Sequence, residues 1–446
     1  MTRRQLLSTL SIGFGGCGLA ATVPQPHFAP KAKRVIFVFL NGGPSQVDTF
    51  DPKPLLQKYH GKPMPSGVNL KTERKTGALL GSPFAFPRSG QSGIEVSEIF
   101  PRIASHIDDF CVIRSLHTER PNHEPSLLIM NCVVPLPGRT SLGSWLSYGL
   151  GSMNNNLPSF VVLCPGVPVI GAQLWTSAFL PAVHQGVHIE TKEKDVRKLI
   201  PYITAARGPA EQRRQMDLLG KLNQLHDPHF ESGVESMEVA YRMQSEAPEV
   251  FDISREPESV RARYGDTPVG RGCLTALRLA EKGVRMVQIY HGNSQPWDNH
   301  DDITIHRKLA SEADPAIGSL IEDLKARDML KDTIVLIGGE FGRTPSMEVS
   351  GLVNVQNGRD HNNHGYSMIV AGGGFKGGSV YGATDDFGFK AVEKPIHPHD
   401  LQATMLHQLG LDHTKLTYRY GGRDFRLTDV EGNVIKELLS LAPGLY

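Results

Sequence analysis

The sequence predicts an α/β fold in which a mostly parallel sheet is flanked by helices. Short apolar runs recur along the chain, each has the length of a strand, and helical patterns separate some of them. Near-continuous apolar strands belong to sheets that are covered on both faces. We therefore expect three layers, with the sheet in the middle.

Six apolar runs are the predicted strands of this sheet. In chain order they are RVIFVFL at 34–40, FCVIRSL at 110–116, SFVVLC at 159–164, VRMVQIY at 284–290, TIVLIGG at 333–339 and YSMIVAGG at 366–373.

Two segments carry helix signals. In the first, Asp314 and Pro315 are suited to be the cap and the first helical residue. Its apolar face would contain Ile317, Leu320 and Leu324. The second segment, HDLQATMLHQLG, is expected to stop at Gly410.

The amino terminus resembles a twin-arginine signal peptide. Arg3 and Arg4 precede a modestly apolar, glycine-rich stretch from Leu6 to Ala21, and a proline-rich exit follows. We expect residues 1–23 to be cleaved after export through the twin-arginine machinery, which would place the mature protein in the periplasm or outside the cell.

Residues 31–446 are expected to form a single domain with a polar, charge-rich helical insertion at about 187–265. The 47 Lys and Arg against 46 Asp and Glu give a formal charge of +1, and no block of like charge stands out. Nucleic acid is therefore not an expected partner. No run beyond the signal approaches the roughly 20 apolar residues of a membrane span, so no stable span is expected after cleavage. The remaining cysteines are expected to be buried thiols: Cys111, Cys132, Cys164 and Cys273.

Polar residues follow the predicted strands, at the sheet edge where open α/β sheets bind ligands. They are Asn41 and Asp48 after the first strand, Thr118, His123 and Ser126 after the second, Asp298 and His300 in HGNSQPWDNHDD after the fourth, Glu340 and Arg343 after the fifth, and His361 and His364 in the loop before the sixth. Imidazole and carboxylate bind borderline and hard divalent metals. A solvated histidine or an Asx-rich turn is the alternative for any single residue, but their coincidence at four strand ends predicts a metal or anion site.

Several common catalytic motifs are absent. The stretch GRTSLG lacks the first glycine of a GxSxG elbow, HEPSL lacks the second histidine of HExxH, and GGGFKGG has the wrong order for a phosphate-binding loop.

Six stretches together resemble one known family over nearly the whole chain: KRVIFVFLNGGPSQVDTFDPKP, NHEPS, WDNHDD, GGEFGRTP, GRDHNNHG and YRYGGRDFRLTDVEGNVIKELL. That family consists of large bacterial exported proteins with the domain of unknown function 1501, and it is placed in the alkaline phosphatase, sulfatase and phosphomutase superfamily. HPHDLQATMLHQLGL is also similar to the aspartate-led helix near the carboxyl end of sulfatases. The resemblance implies an alkaline phosphatase/sulfatase-like sheet that carries one or two divalent cations: zinc, calcium, magnesium or manganese.

The resemblance also implies a ligand set. The superfamily's metal ligands fall on Asn41, with Asp48 as the candidate to compensate for its weaker amide, on Asp298 and His300, on Glu340, and on His361 or His364. The formylglycine context C/S-x-P-x-R is missing, and ERPNHEPS takes its place, with Thr118 and Ser126 as hydroxyls and His123 as a base or ligand. Arg343 is expected to bind an ester oxyanion.

Three functions fit these expectations. The first is an exported metal-dependent hydrolase of phosphate or sulfate esters, acting on a small molecule or a polysaccharide without formylglycine. The alternative is a non-catalytic binding or cell-envelope protein that retains the scaffold, and a phosphomutase-like transferase is the third. The first hypothesis predicts that His300→Ala loses the metal, whereas removal of the nearby His306 matters little.

Overall fold

The computed structural model describes residues 25–65, 72–200, 208–226 and 231–440. The predicted signal peptide, residues 1–23, lies outside the described residues. All six predicted strands are present to within two residues at either end, and they all belong to one sheet of eight strands.

The sheet has the strand order β13-β5-β12-β9-β1-β8-β6-β7. Its strands are β1 (Arg34–Phe39), β5 (Phe110–Leu116), β6 (Phe160–Cys164), β7 (Val187–Glu190), β8 (Met286–Tyr290), β9 (Thr333–Gly338), β12 (Tyr366–Ala371) and β13 (Ser379–Tyr381). The remaining strands, outside this sheet, are β2 (Thr76–Leu79), β3 (Arg88–Ser89), β4 (Ile94–Glu95), β10 (Gly342–Glu348), β11 (Arg359–Asn362), β14 (Ala383–Thr384), β15 (Ala391–Glu393), β16 (Tyr418–Tyr420) and β17 (Arg423–Phe425).

Strand directions explain where a site can form. β8, β9 and β6 are linked to β1 by parallel pairings, whereas β12 runs antiparallel to both β9 and β5. The carboxyl ends of β1, β5, β8 and β9 and the amino end of β12 therefore lie at the same edge of the sheet. Chain segments that are far apart in sequence converge there.

The helices cover both faces of the sheet. They are α1 (Gln46–Thr49), α2 (Pro54–Lys58), α3 (Pro101–Ser105), α4 (His123–Cys132), α5 (Leu142–Leu150), α6 (Val196–Leu199), α7 (Pro209–His226), α8 (Glu231–Phe251), α9 (Glu258–Tyr264), α10 (Pro268–Glu281), α11 (Ile305–Ala326) and α12 (Pro398–Gln408).

Alternate residues of β1 face different cores, because successive strand side chains point to opposite faces. Ile36 and Val38 pack with α10 and α11 on one side. Val35 and Phe37 pack with α4, α5 and α12 on the other side. The predicted three-layer α/β class is confirmed.

The start of α11 was predicted wrongly. The helix begins at Ile305, and Pro315 lies inside it. The Asp314 carboxylate instead accepts hydrogen bonds from the backbone N–H groups of Arg102 and Ile103, each at 2.8 Å, in the first turn of α3. Asp314 is therefore a helix-capping residue, as the sequence indicated, but it caps α3 and not α11. The predicted apolar face of Ile317, Leu320 and Leu324 is fully buried.

The polar region at 187–265 begins with a strand. Val187–Glu190 pairs with β6 at the sheet edge, and the helices α6, α7, α8 and α9 follow. The prediction that this region is an insertion in one domain remains a prediction. The four predicted thiols are free and buried. In the described part of the chain, no helix combines the length and apolarity needed to cross a membrane.

A second sheet was not expected from the sequence. β2, β10 and β11 form an antiparallel sheet in the order β11-β10-β2. β10 and β11 replace the predicted loops around Arg343 and His361. This small sheet adjoins the site edge of the large one, since β10 starts four residues after β9 ends and β11 ends four residues before β12 begins.

Candidate metal centre

Asp298 is at the middle of the candidate site, on the segment that follows β8. Asn41, directly after β1, anchors that segment: its Nδ2 donates to the carbonyl oxygens of Gly292 at 2.9 Å and Ser294 at 2.5 Å. The backbone carbonyl of Asn41 accepts a hydrogen bond from Trp297 N at 3.1 Å. The neutral amide predicted to be a metal ligand therefore positions the loop that carries Asp298.

Three imidazoles meet one oxygen of Asp298. His300 Nε2 lies 2.8 Å from Asp298 Oδ1, His361 Nε2 lies 3.1 Å from it, and His123 Nε2 lies 3.3 Å from it. His300 Nε2 and His361 Nε2 are 3.1 Å apart. Ligand atoms around a tetrahedral zinc ion, each about 2.0–2.1 Å from the metal, are separated by roughly 3.3 Å. These four separations are close to those between metal ligands.

Each of these imidazoles has a carboxylate at its other ring nitrogen. The pairs are His123 Nδ1 with Glu340 Oε1 at 2.7 Å, His361 Nδ1 with Glu73 Oε2 at 2.7 Å, and His300 Nδ1 with Glu348 Oε2. A carboxylate at Nδ1 fixes the ring orientation and leaves Nε2 for the metal, and this arrangement is common behind metal-binding histidines.

The local backbone permits this close packing. His123 is the first residue of α4, and Glu340 follows β9. Gly42 N donates to both oxygens of Glu340, at 3.0 and 3.2 Å. Gly42 has φ +113°, and a Cβ there would lie 2.6 Å from Asp298 N, so only glycine lets β1 approach the Asp298 segment this closely. The Phe341 ring packs against the rings of His123 and His361.

The electrostatics of the cluster suit a cation. Burial opposes ionisation of Asp298, but the charge of Arg343 and the hydrogen bonds from the imidazoles hold the pKa of this carboxyl far below its usual range. Burial lowers the pKa of His123, but Asp298 and Glu340 outweigh that effect and raise it to about 9. Metal ligands must be deprotonated, so a cation would displace a proton from His123.

The donor set fits a borderline divalent cation. His123 Nε2 is buried and has no hydrogen-bond partner, so it can bind a metal ion once its proton is displaced. His123, Asp298 and His361 form a group whose ligand atoms all lie within 4.8 Å of one another. Imidazole nitrogens with one carboxylate oxygen favour zinc and similar metals over calcium or magnesium.

Asp48 lies outside this cluster, in contrast to the expectation that it compensates for Asn41. It is fully buried and forms an ion pair with Arg359, with Oδ2 2.7 Å from Arg359 Nε. Burial opposes ionisation, but the Arg359 charge lowers the pKa of Asp48. Asp48 is therefore already neutralised by a guanidinium.

Arg343 does not present its guanidinium to a substrate. It is fully buried and donates to Asp298 Oδ1 at 2.6 Å, to Gly43 O at 2.9 Å and to Arg359 O at 3.3 Å. The same Nη2 that contacts Asp298 also donates to Gly42 O and, at 3.4 Å, to Trp297 O. These acceptors occupy the N–H groups of the guanidinium. The contact expected with an ester oxyanion is therefore replaced by contacts within the protein. Arg343 positions Asp298.

The two candidate hydroxyls also have internal partners. Thr118 Oγ1 donates to Arg120 O at 3.3 Å, and Ser126 Oγ donates to the same carbonyl at 2.7 Å. Both residues are buried. They brace the turn that leads from β5 to His123, and neither hydroxyl is placed as a nucleophile in this conformation.

Of the two alternatives His361 and His364, the structure brings only His361 to the cluster. Among the described residues, His364 is in none of the groups that could hold a metal. Its ring lies 5.1 Å from that of Phe389. The predicted ligands that converge are therefore His300, His361 and Asp298, joined by His123, while Glu340 acts through His123.

Two carboxylates of the site were missed in the sequence. Glu348 ends β10, whose sequence GRTPSME has no strand-like apolar pattern. Glu73 precedes β2, and 288 residues separate it from His361. No local signal in the sequence links either one to a histidine. His306, whose removal is predicted to matter little for the metal, is fully buried, and its Nε2 accepts a hydrogen bond from Ser45 N at 3.0 Å.

Comparison with solved structures finds similar folds at low identity. A protein in the alkaline phosphatase superfamily from Vibrio parahaemolyticus has 9% identity and a TM-score of 0.39, with 92% of this chain and 76% of that chain covered. The lipoteichoic acid synthase LtaP from Listeria monocytogenes has 9% identity and a TM-score of 0.40, with 90% and 76% covered. A TAB5 alkaline phosphatase variant with bound magnesium has 12% identity and a TM-score of 0.37, with 87% and 99% covered.

No curated protein matches the chain in sequence. A family model does match, over residues 32–439, and its description is "Protein of unknown function (DUF1501)". That span covers nearly the whole chain, as the sequence resemblance predicted. The chain is therefore a member of the DUF1501 family.

Proposed function

We propose that this protein is a metal-dependent hydrolase of phosphate or sulfate esters. One observation carries the proposal: three imidazole Nε2 atoms lie within 3.3 Å of Asp298 Oδ1, and a carboxylate holds each Nδ1. Zinc is the metal that this donor set favours. When bound, such an ion would supply Lewis-acid polarisation of an ester oxygen and would lower the pKa of water.

The protein residues have separate tasks in this proposal. Asp298 supplies the negative charge, and Arg343 holds its carboxylate in place at 2.6 Å. Glu340 accepts the Nδ1 proton of His123, so that His123 Nε2 faces Asp298. The side chains of His123, His300 and His361 are 4–12% exposed. That limited access reduces the bulk water around the charges and strengthens their interactions.

The placement of the hydroxyls favours a second candidate, a binding protein without turnover. Thr118 and Ser126 both donate to Arg120 O, so the side chains expected to attack an ester are engaged elsewhere. This candidate retains the metal affinity of the site. The hydrolase proposal instead requires water as the attacking group. It therefore predicts that the protein still turns over substrate when both hydroxyls are removed.

Turnover of aryl phosphates and aryl sulfates, measured with and without added zinc, tests the proposal. Wild type should show zinc-dependent hydrolysis of at least one of them, and Asp298→Asn should abolish it. The Thr118→Ala/Ser126→Ala double variant should stay within about tenfold of wild type. Bound zinc without any turnover would favour the binding protein instead.

We also propose that the protein is exported by the twin-arginine pathway. Arg3 and Arg4 at the head of the leader support this proposal. Cell fractionation of wild type beside an Arg3→Lys/Arg4→Lys variant tests it. Wild type should be found outside the cytoplasm in a shortened form, and the variant should be retained at full length. Equal export of both would rule out this route.

A further inference from the structure

A cavity of about 350 Å³ lies between the sheet and the helices that follow β7. Leu163 in β6 and Ile189 in β7 line it, and each is the second-last residue of its strand. β6 runs parallel to β8, and β7 runs parallel to β6, so the cavity is at the same edge of the sheet as the metal centre, beyond β8. Ligands of open α/β sheets bind at this edge. Among the described residues that line the cavity, none belongs to the metal centre.

Small residues leave this space open. α9 ends at Gly265, whose φ of +81° favours glycine. A Cβ at Gly270 would lie 2.2 Å from Gly265 O, so glycine at this position lets the first turn of α10 pack closely against the end of α9. Ala262 and Thr275 add two further short side chains to the lining. A large side chain at such a position would fill the cavity.

The inner wall of the cavity is apolar. Leu163, Ile189, Phe251 and Leu274 are each 0–3% exposed and belong to the core that packs α10 and α11 against the sheet. The rings of Phe251 and Tyr264 also line the cavity, and aromatic rings favour contact with other aromatic rings. A dry cavity of about 150 Å³ accommodates benzene in another protein, so the volume here is sufficient for two fused rings.

Two threonines in the lining have uncommitted hydroxyls. Thr191 and Thr275 are both buried. Neither hydroxyl forms a hydrogen bond within the described part of the chain. The backbone of Thr191 is held in place, since its N–H donates to Cys164 O at 3.1 Å and its carbonyl accepts from Arg271 at 2.9 Å. A polar group on a bound molecule would therefore give these hydroxyls the hydrogen bond that the protein does not supply.

The charges in the lining balance one another. Three basic and three acidic residues contribute to it: Lys194, Arg261, Arg271, Glu193, Glu258 and Asp266. Asp266 pairs with Lys194 at 2.6 Å and with Arg271 at 2.9 Å. A lining without net charge attracts neither cations nor anions, so a neutral ligand fits it best.

We propose that this cavity binds a small neutral aromatic molecule that carries a hydroxyl or another hydrogen-bonding group. The apolar wall and its two aromatic rings would hold the body of the ligand, and Thr191 or Thr275 would contact its polar group. Small-molecule sites commonly combine apolar walls with a few polar groups in this way. The inference goes beyond the proposed hydrolase and does not depend on it.

Isothermal titration calorimetry of the full chain with 2-naphthol tests the inference, in the presence of a chelator so that the probe cannot bind through a metal. Wild type should bind one molecule per chain, with a dissociation constant of about 0.1 mM. Ala262 is an exposed residue of α9 in the lining, so Ala262→Trp should fold normally, fill the cavity and weaken binding at least about tenfold. Ala182→Trp, at an exposed residue outside the lining, is the matched control and should bind as wild type does.

The polar contact has its own variant. Thr191→Val/Thr275→Val keeps the shape of both side chains and removes their hydroxyls, so affinity for 2-naphthol should fall by about 2–10-fold. Unchanged affinity in this double variant would overturn the hydrogen-bonding part of the inference. A wild type that binds no 2-naphthol, or binding that Ala262→Trp does not weaken, would overturn the whole of it.

The two proposals fail in different ways. A chain without zinc-dependent turnover would count against the hydrolase, whereas binding of 2-naphthol is measured without metal. Asp298→Asn should therefore bind 2-naphthol as wild type does. Loss of binding in Asp298→Asn but not in Ala262→Trp would place the probe at the metal centre and contradict the inference.

Discussion

His123 Nδ1 lies 2.7 Å from Glu340 Oε1, although 217 residues separate them in the chain. The contact joins the start of α4 to the end of β9, and Gly42 N holds the same carboxylate from β1. Glu340, expected from the sequence to bind the metal directly, therefore reaches the candidate metal centre through an imidazole.

This relationship predicts the effect of Glu340→Gln. Gly42 N and His123 Nδ1 both contact Oε1 of Glu340. A neutral glutamine oxygen at that position is a weaker acceptor for His123 than the carboxylate is. Zinc affinity should fall about 10–100-fold, as it does when other carboxylates behind metal-binding histidines are changed. Competition with a chromophoric chelator measures this affinity. Glu312→Gln is the control, because Glu312 faces His291 outside the centre, and a loss of equal size there would refute the specific role of Glu340.

Two histidines of the same region should differ in their contribution to zinc affinity. His300 Nε2 lies 2.8 Å from Asp298 Oδ1, whereas His364 is in none of the ligand groups among the described residues. His300→Ala should lower zinc affinity by roughly 100-fold, and His364→Ala should leave one zinc per chain. Elemental mass spectrometry after dialysis distinguishes them. Equal zinc contents in the two variants would contradict the assignment of His300.

Arg343 should matter for stability even without a metal. Its guanidinium is fully buried and holds Asp298 and four backbone carbonyls together. Arg343→Met leaves these acceptors unpaired, so the free energy of unfolding should fall by about 3–5 kcal/mol. Urea unfolding in the presence of a chelator measures it. Arg197→Met, at a side chain 81% exposed, should leave the midpoint unchanged. An equally small effect at Arg343 would show that its contacts are not structural.

The low pKa of His306 predicts that the protein becomes less stable in acid. Burial lowers its pKa to about 3 in the folded protein, whereas an unfolded histidine titrates near pH 6.5. The folded state keeps the imidazole neutral, so its contribution is complete above pH 6.5 and is lost as the pH falls towards 3. The slope should be up to about 1.4 kcal/mol per pH unit. His306→Gln removes the titrating group, and urea unfolding at pH 7.5 and 5.0 should show a smaller difference for the variant. Identical differences would contradict the low pKa.

The sequence was informative where the chain is apolar. Strands such as Arg34–Phe39 and Thr333–Gly338 are continuous apolar runs, and their burial on both faces follows from that pattern. Their order along the chain also placed Asp298, His300 and His361 at one edge. The local sequence was sufficient to predict these elements, because the burial of a strand follows from the hydrophobicity of its own residues.

Tertiary pairing was not predictable in the same way. β11, with the sequence RDHN, is a fully buried strand without an apolar residue, so no hydrophobic period marks it. The partners of Arg343 were also hidden, since the Gly42 carbonyl and Asp298 lie 301 and 45 positions away from it in the sequence. Asp314 shows the same limit: a capping residue was recognised, but the helix that it caps lies 212 positions away.

The central claim is that His123, His300, His361 and Asp298 bind one metal ion. Zinc K-edge X-ray absorption of the zinc-loaded protein tests it most directly. The account predicts one zinc per chain, with imidazole scattering from three histidines and nitrogen and oxygen ligands at about 2.0–2.1 Å, and loss of one imidazole shell in His123→Ala. A zinc ion without imidazole ligands, or no bound zinc, would contradict it.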